Sequence, residues 1–354
     1  MSEMDALMKS TCEWLRGKGD SSDIVMSSRM RLARNIQGYP FTHRLAKDEA
    51  EDLIEMTESA VKHSSHLKDS WFLRHKNLSS LDKQFLLERH LISYDLASCK
   101  TDMAVCVSKN EAAAIMVLEE DHLRIQVLQS GFSLREAWEI INRIDSDMEQ
   151  EVPYSFHQVL GYLTACPTNV GTGLRASCMM HLPALVMTKQ VNKILQALAK
   201  LNLASRGMYG EGTQPSGNFF QFSNQITLGQ KEEEIIDSLE KVIKQIVDHE
   251  REARQALISK KREKLEDHVW RGLGVLKSAR YISSKETTAH LSMVRLGVDL
   301  GIIKGLDFQK MNELFIFIQP SHLQRKCNRI LSSAERDSER ASLLRRELKS
   351  VELI

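Results

Sequence analysis

Apolar and polar residues alternate in two stretches that read as half-buried strands. In residues 122–128 (HLRIQVL), Leu123, Ile125 and Val127 fall on one side, with His122, Arg124 and Gln126 on the other. In residues 219–228 (FFQFSNQITL), Phe220, Phe222, Ile226 and Leu228 alternate with Gln221, Ser223, Gln225 and Thr227. A period of two marks a strand with one face on a core and one face polar, as in antiparallel sheets. Shorter strands are predicted at 24–26, 103–107 and 113–118. Between the strands the period lengthens. Ser133-Leu-Arg-Glu136 has the form of a capping box and predicts a helix to about residue 149. Val191, Ile194, Leu195 and Leu198 form a helical stripe within 188–202. A long helix starts near Lys231, with Ile235, Ile236, Leu239, Val242, Ile243 and Ile246 on one side, and runs into the charged stretch 249–267. Past residue 268 no clear strand follows, and helical stretches at 285–300, 307–318 and 333–352 dominate. The prediction is an α+β fold: an antiparallel sheet flanked by helices over residues 1–262, then a smaller all-helical domain over 263–354.

Composition narrows the class. The 354 residues are 42% hydrophobic and 27% charged, too apolar for a disordered chain. With 48 Lys+Arg against 47 Asp+Glu, the balance argues against a general nucleic-acid coat. No apolar run reaches the roughly 20 residues that span a bilayer, and the first residues lack the basic and apolar regions of a signal peptide. Cys12, Cys99, Cys106, Cys166, Cys178 and Cys327 show no paired spacing, which suggests reduced thiols in a cytoplasm.

Candidate chemistry comes from glycines, arginines and acids. Gly171-Thr-Gly173-Leu-Arg-Ala176 formally fits the dinucleotide fingerprint, but Pro167 and Asn169 stand where a buried strand should precede it, so a turn is the better reading. Walker, HRD and DFG motifs are missing, which removes P-loop and ordinary protein-kinase folds. Arg29, Arg31 and Arg34 punctuate a strand-like SSRMRLARN, Arg124 lies on a polar strand face, Arg175 follows the glycine turn and Arg206 precedes Gly207. Guanidinium forks so placed suit a polyanion. Leu118-Glu119-Glu120-Asp121-His122 runs into the Arg124 strand. If the alternation extends back, Glu120 shares a face with His122, Arg124 and Gln126 while Glu119 points away. A plain charged turn is the alternative. Glu211, in RGMYGEG, is a second acid beside an arginine and between glycines.

SSRMRLARN (27–35), EEDHLRIQ (119–126), CPTNVGTGLRAS (166–177) and RGMYGEG (206–212) occur in the order they take in the phosphagen kinase superfamily. The chain resembles its bacterial branch, the protein arginine kinases, along nearly its whole length; SNQITLG and VRLGVDLGIIKGL add to the likeness. The small-guanidine kinases carry a helical domain before the SSR segment, which here begins at residue 27. The expectation is an acceptor site without that lid, open to an arginine on a protein.

The resemblance implies ATP and Mg²⁺ over the sheet and a direct in-line transfer to an arginine side chain. It assigns nucleotide contact to Ser27, Ser28, Arg29, Met30, Arg31, His90, Arg124, Arg175, Ala176, Ser177, Cys178 and Met179, and to Arg206, Gly207, Met208, Tyr209, Gly210 and Glu211. Glu120 is implied as base and principal clamp, Glu211 as the second carboxylate, and Cys166 as a guanidinium-orienting thiolate, with Arg124, Arg175 and Arg206 completing the catalytic set. Arg336-Asp337-x-x-Arg340-Ala341 matches the RDxxRA of the branch's phosphoarginine-sensing pocket, with both arginines on one helix face. Further implied are a homodimer, stress-response work, a zinc-binding activator protein, a Clp-type chaperone–protease as receiver of marked proteins, and relief of a heat-shock repressor. A kinase for free arginine and a non-catalytic phosphoarginine-binding adaptor are the alternatives. One departure stands out: Leu118 replaces the family's usual asparagine.

Overall fold

The computed structural model describes residues 3–99, 102–207 and 216–353. Its strands are β1 (Val25–Arg34), β2 (Trp71–Arg74), β3 (Ala104–Val107), β4 (Ala113–Val117), β5 (Leu123–Ser130) and β6 (Phe156–His157). Then come β7 (Gly161–Tyr162), β8 (Leu174–His181), β9 (Leu203–Arg206), β10 (Phe219–Asn224), β11 (Ile303–Lys304) and β12 (Glu352–Leu353). Eight of them form one sheet in the order β2-β3-β4-β5-β1-β8-β10-β9, antiparallel at every pairing.

Alternation along the strands divides the sheet into two unlike faces. Met30, Leu32, Ile125, Val127, Leu174, Ala176, Cys178 and Phe222 are buried in the main core. Helices contribute to that core, among them Leu134–Glu151 through Ala137, Ile141, Ile144 and Met148, and the long helix Glu232–Ser278 through Ile235, Ile236, Leu239 and Ile243. The opposite face carries the polar residues of the site. Part of that second face, at Leu128 and Phe219, is covered by the later helices.

The helix after Ser133 forms without the expected capping box. Ser133 makes no side-chain cap bond, because its hydroxyl donates to Ser130 O at 3.1 Å. Strand β10 stops at Asn224, four residues short of the predicted end. The Asn224 amide accepts from Ala176 N and donates to Leu174 O and Ile226 O, which turns the chain and leaves Ile226 and Leu228 exposed. Two helices in the first part, Lys47–His63 and Ser80–Glu88, had no strong sequence signal.

The C-terminal part is helical over Ser284–Asp299, Phe308–Phe317, Pro320–Cys327 and Ser333–Glu347, and the β11–β12 ladder makes it less than all-helical. Helix Glu232–Ser278 breaks its regular geometry at Lys261 (φ −146°, ψ 34°). A second core joins Val269, Leu273, Leu291, Val294, Phe315 and Leu344 to Trp14, Leu15, Met26, Leu128 and Phe219. The later helices therefore share a core with the start of the chain and with the sheet.

The glycine turn is a close-approach device. Gly171 sits at φ +111°, and a Cβ there would stand 2.4 Å from Thr227 O; at Gly173 (φ +66°) it would stand 2.7 Å from Ala33 O. Gly38 has a similar φ of +91° with open space around it. Gly38→Ala should lose about 1 kcal/mol from the backbone alone, and Gly171→Ala a further 2 kcal/mol or so, since carbonyls cannot step aside. Urea unfolding of the two variants measures the difference.

Candidate active site

Strand β1 lies at the middle of the sheet and presents Arg29 and Arg31 on its polar face. Register puts Arg31 opposite Arg175 on one side and Gln126 on the other, with Arg124 opposite Ala33 and Arg206 opposite Gln221. Five arginines thus project from one face. Burial and then the Arg124 charge push the Arg29 guanidinium down to about 9, and burial with the Arg29 charge holds Arg31 well below its usual value. Arginine keeps its proton at neutral pH, so these shifts measure a load of confined positive charge that an anion would relieve. The Nε atoms of Arg29 and Arg31 are buried and lack a hydrogen-bond partner. Buried donors without acceptors are rare, and these aim at phosphate chemistry.

Glu119 sits inside this face. Arg124 Nη1 donates to both its oxygens at 2.7 and 2.6 Å; burial raises the Glu119 carboxyl, but the Arg124 charge, hydrogen bonds from Ser93 and Arg124, and the Arg31 charge together lower it. This reverses the expectation that Glu119 points away. The alternation does not extend back, because β5 begins only at Leu123 and residues 118–122 form a turn. His122 likewise leaves the site: its Nδ1 accepts from Ile36 N at 2.9 Å and its Nε2 meets Pro40 O at 2.8 Å. The turn starts at Leu118, held at φ +63° with its side chain 2% exposed in the core. Asparagine tolerates a left-handed φ better than leucine does; here apolar burial anchors the same bend.

Ser27, Arg29, Leu128, Ser177, Met179 and Gln221 line a pocket closed by Trp14 and His90. The His90 ring stands edge-on to Trp14 at 5.2 Å, and burial, then Arg29, pushes it down to about 3, so it is neutral. Aromatic and apolar walls beside cationic forks fit a nucleotide. Trp14, Leu128 and Gln221 were not anticipated. Gln221 could have been, since it lies on the polar face of a legible strand and donates to Ser177 Oγ at 2.9 Å.

Other anticipated residues lie elsewhere. Ser28, Met30, Ala176 and Cys178 alternate to the core face, where Ser28 donates to Gly131 O and burial pushes the Cys178 thiol up to about 12. Only their backbone borders the site. Arg34 is buried against Asp145 (2.7 Å), donates to Thr172 O and stacks 3.5 Å over Tyr162, stapling the glycine turn instead of binding an anion. Met208, Tyr209, Gly210 and Glu211 fall outside the described residues.

Glu120 lies exposed at the rim and shares a hydrogen bond with Cys166. Partial burial and the neighbouring Asp121 charge raise its carboxyl, and Arg124 pulls the other way. Cys166 Sγ is 3.0 Å from Thr168 Oγ1, at the head of the short turn Pro167–Asn169. Two unforeseen residues join the acid and thiol loops. Asp121 Oδ1 accepts from Asn35 Nδ2 and from Ala165 N, each at 2.6 Å. Asn35 also donates to Leu163 O (3.0 Å) and accepts from His122 N (2.9 Å). Both residues sit inside the quoted motifs, which was the available signal.

At the C-terminal motif, Arg340 is buried, with Nε donating to Ile318 O and Nη1 to Ile282 O, both at 2.8 Å, and Nη1 also to Asp337 Oδ1. Arg336 is half-buried, 3.4 Å from Leu331 O, and Ala341 packs in the second core. Among the described residues no group of three or more His, Cys, Asp or Glu side chains could hold a metal ion.

Residues 52–253 match the ATP:guanido phosphotransferase C-terminal catalytic domain, and residues 262–353 match the protein-arginine kinase McsB C-terminal domain. The fold is similar to the crystal structure of lombricine kinase, with a TM-score of 0.59 and 26% identity over 73% of this chain and 72% of that one. It is also similar to the substrate-free duplicated taurocyamine kinase from Schistosoma mansoni, with a TM-score of 0.58 and 22% identity. That match covers 74% of this chain and 40% of the duplicated one. The class is thus the guanido phosphotransferases. The protein-arginine kinase of Desulforamulus reducens is 47% identical over 354 residues, 99% of each chain, and that of Symbiobacterium thermophilum 46% identical over 347 residues, 97% of this chain and 98% of that one. The chain belongs to the protein-arginine kinase family.

Asn35→Ala should free both loops at once. Its kcat should drop about 100-fold, the size expected for misplacement by an ångström, while ATP affinity stays within twofold. Steady-state kinetics with nucleotide titration checks this.

Proposed function

We propose that the protein transfers the γ-phosphoryl group of ATP directly to arginine side chains of other proteins. The observation that carries the reading is the exposed Glu120 carboxylate standing at the edge of the arginine-lined face, within electrostatic reach of Arg124. A carboxylate on the rim suits a guanidinium carried on a polypeptide; family membership supports the same acceptor.

Phosphoryl transfer is largely positioning and charge neutralisation. Arg29, Arg31, Arg124, Arg175 and Arg206 grip the phosphates and meet the charge that builds on the transferring group. The pocket between Trp14, His90 and Met179 receives the rest of the nucleotide. Mg²⁺ fits the phosphates better than the protein, since it keeps few protein ligands, and when bound it supplies charge neutralisation. Glu120 holds the acceptor guanidinium by charge-assisted hydrogen bonds and takes its proton as the P–N bond forms. Glu211 is the second clamp in this proposal. The Cys166 thiol steadies Glu120.

The remaining roles are proposed on family likeness. They are work in the cytoplasm as a homodimer, marking of proteins for a Clp-type chaperone–protease, relief of a heat-shock repressor, and stimulation by a zinc-binding activator. Phosphoarginine sensing at Arg336, Asp337, Arg340 and Ala341 completes the set. For sensing, a bound phosphate would have to draw Arg340 from its two carbonyl partners.

With ATP, Mg²⁺ and an unstructured acceptor protein, mass spectrometry should find acid-labile, base-stable phosphate on arginine. Glu120→Ala should cut transfer by about 1,000-fold or more and leave ATP affinity unchanged; loss of nucleotide binding in the folded variant would contradict the assignment. Glu120 works ionised, and its carboxyl lies above the ordinary 4.5. The rate should therefore fall as pH drops through that raised value, and His90, neutral down to about 3, should add no limb of its own. A pH–rate profile shows both.

A further inference from the structure

His90 occupies a demanding place. It follows helix Ser80–Glu88 at φ +59°, with His90 N bonded to Leu87 O and Leu91 N to Leu86 O. Glycine is the usual residue at such a helix end, and a non-glycine there costs roughly 1–2 kcal/mol. A side chain is present because its ring forms a wall of the nucleotide pocket against Trp14. Something must hold the strained turn. From the sheet, Gln126 Nε2 donates to His90 O at 2.9 Å and Leu91 O at 3.1 Å.

The other supports come from far along the chain. The Glu88 carboxylate is 3% exposed and accepts from Ser321 N at 3.0 and 3.1 Å, from the Ser321 hydroxyl, and from His322 Nδ1 at 2.9 Å. It thereby caps helix Pro320–Cys327, whose dipole favours a negative charge at that end. Arg89, 1% exposed, donates to both oxygens of buried Glu111 at 2.5 and 2.6 Å and to Ser10 O at 3.2 Å. Its Nη1 also lies 3.5 Å from His322 Nε2. Residues immediately before His90 are thus bonded to the C-terminal helices on one side and to the start of the chain on the other.

We propose that Glu88 is a positioning residue for the nucleotide pocket: by clamping Ser321 and His322, it lets the C-terminal helical segment set the place of the His90 ring. Glu88 touches no reacting atom and acts through the His90 turn. The helices after residue 262 are then a working part of the ATP site. This rests on the reading of the Trp14–His90 pocket as a nucleotide site.

Ser321→Ala removes one hydroxyl and keeps the backbone N–H, and Glu88→Gln keeps the size and removes the charge. Each is assayed in the full chain by calorimetric ATP binding, tryptophan fluorescence, thermal melting and kinetics with an arginine-containing acceptor. The expected result is an ATP Kd and KM raised about fivefold for Ser321→Ala and tenfold or more for Glu88→Gln. The kcat and the acceptor KM should stay within twofold. The double variant should fall short of the product of the two effects, since both break one clamp. A Glu88→Asp variant should recover part of the affinity. Unchanged ATP affinity in folded Ser321→Ala and Glu88→Gln overturns the proposal, as does a loss of kcat that merely follows the melting temperature. If Glu88→Gln does not fold, the Ser321→Ala affinity alone decides. Should wild type bind no ATP, the pocket reading itself fails; wild type that binds ATP with variants that bind equally well sinks the Glu88 role only.

Discussion

Crowded positive charge is the constraint around which the rest is arranged. Arg29, Arg31, Arg124, Arg175 and Arg206 share one face of a sheet whose other face is a hydrocarbon core. Strand register fixes them, so they cannot splay apart as surface arginines do. Burial and mutual repulsion depress Arg29 and Arg31, and Glu119 offsets part of the load at Arg124. A fold that stores like charges in this way is organised for a polyanion, and the strain of apposition is relieved when phosphates arrive. Preorganised charge of this kind needs little reorganisation at the moment of transfer.

The proposed acceptor end is built by different means. Glu120 stands on a turn, Cys166 on another, and neither belongs to a regular element. Asn35, just after the central strand, and buried Asp121 bond the two turns together. The proposed phosphate and acceptor groups are thereby referred to the same strand, β1: the arginines through its register and the acid through the asparagine that follows it. Apolar contact does the remaining work at Leu118, whose burial holds the bend that starts the acid turn.

How far this was legible depends on the range of the interaction. The period-two pattern found β5 and put Arg124 on the polar face, and the glycine turn read correctly because two positive-φ positions are packed against carbonyls. Pairing within the acid turn was misjudged, since a single left-handed residue at 118 ends the alternation and swings Glu119 toward Arg124. Arg34 was grouped with Arg29 and Arg31, although odd and even positions of a strand face opposite ways. The clamp from Glu88 to Ser321 had no sequence signal at all, because it joins residues 233 positions apart through a helix that polar composition hid. Local periodicity carries strands and faces; long-range hydrogen bonds need the fold.

Most direct for the central claim is a crystal structure with a non-hydrolysable ATP analogue, Mg²⁺ and an arginine-bearing peptide. The account expects phosphate oxygens within hydrogen-bond distance of Arg29 and Arg31 Nε and the peptide guanidinium against Glu120. Phosphates seated away from β1 and β8, or a guanidinium bound on the far side of the sheet, would contradict it.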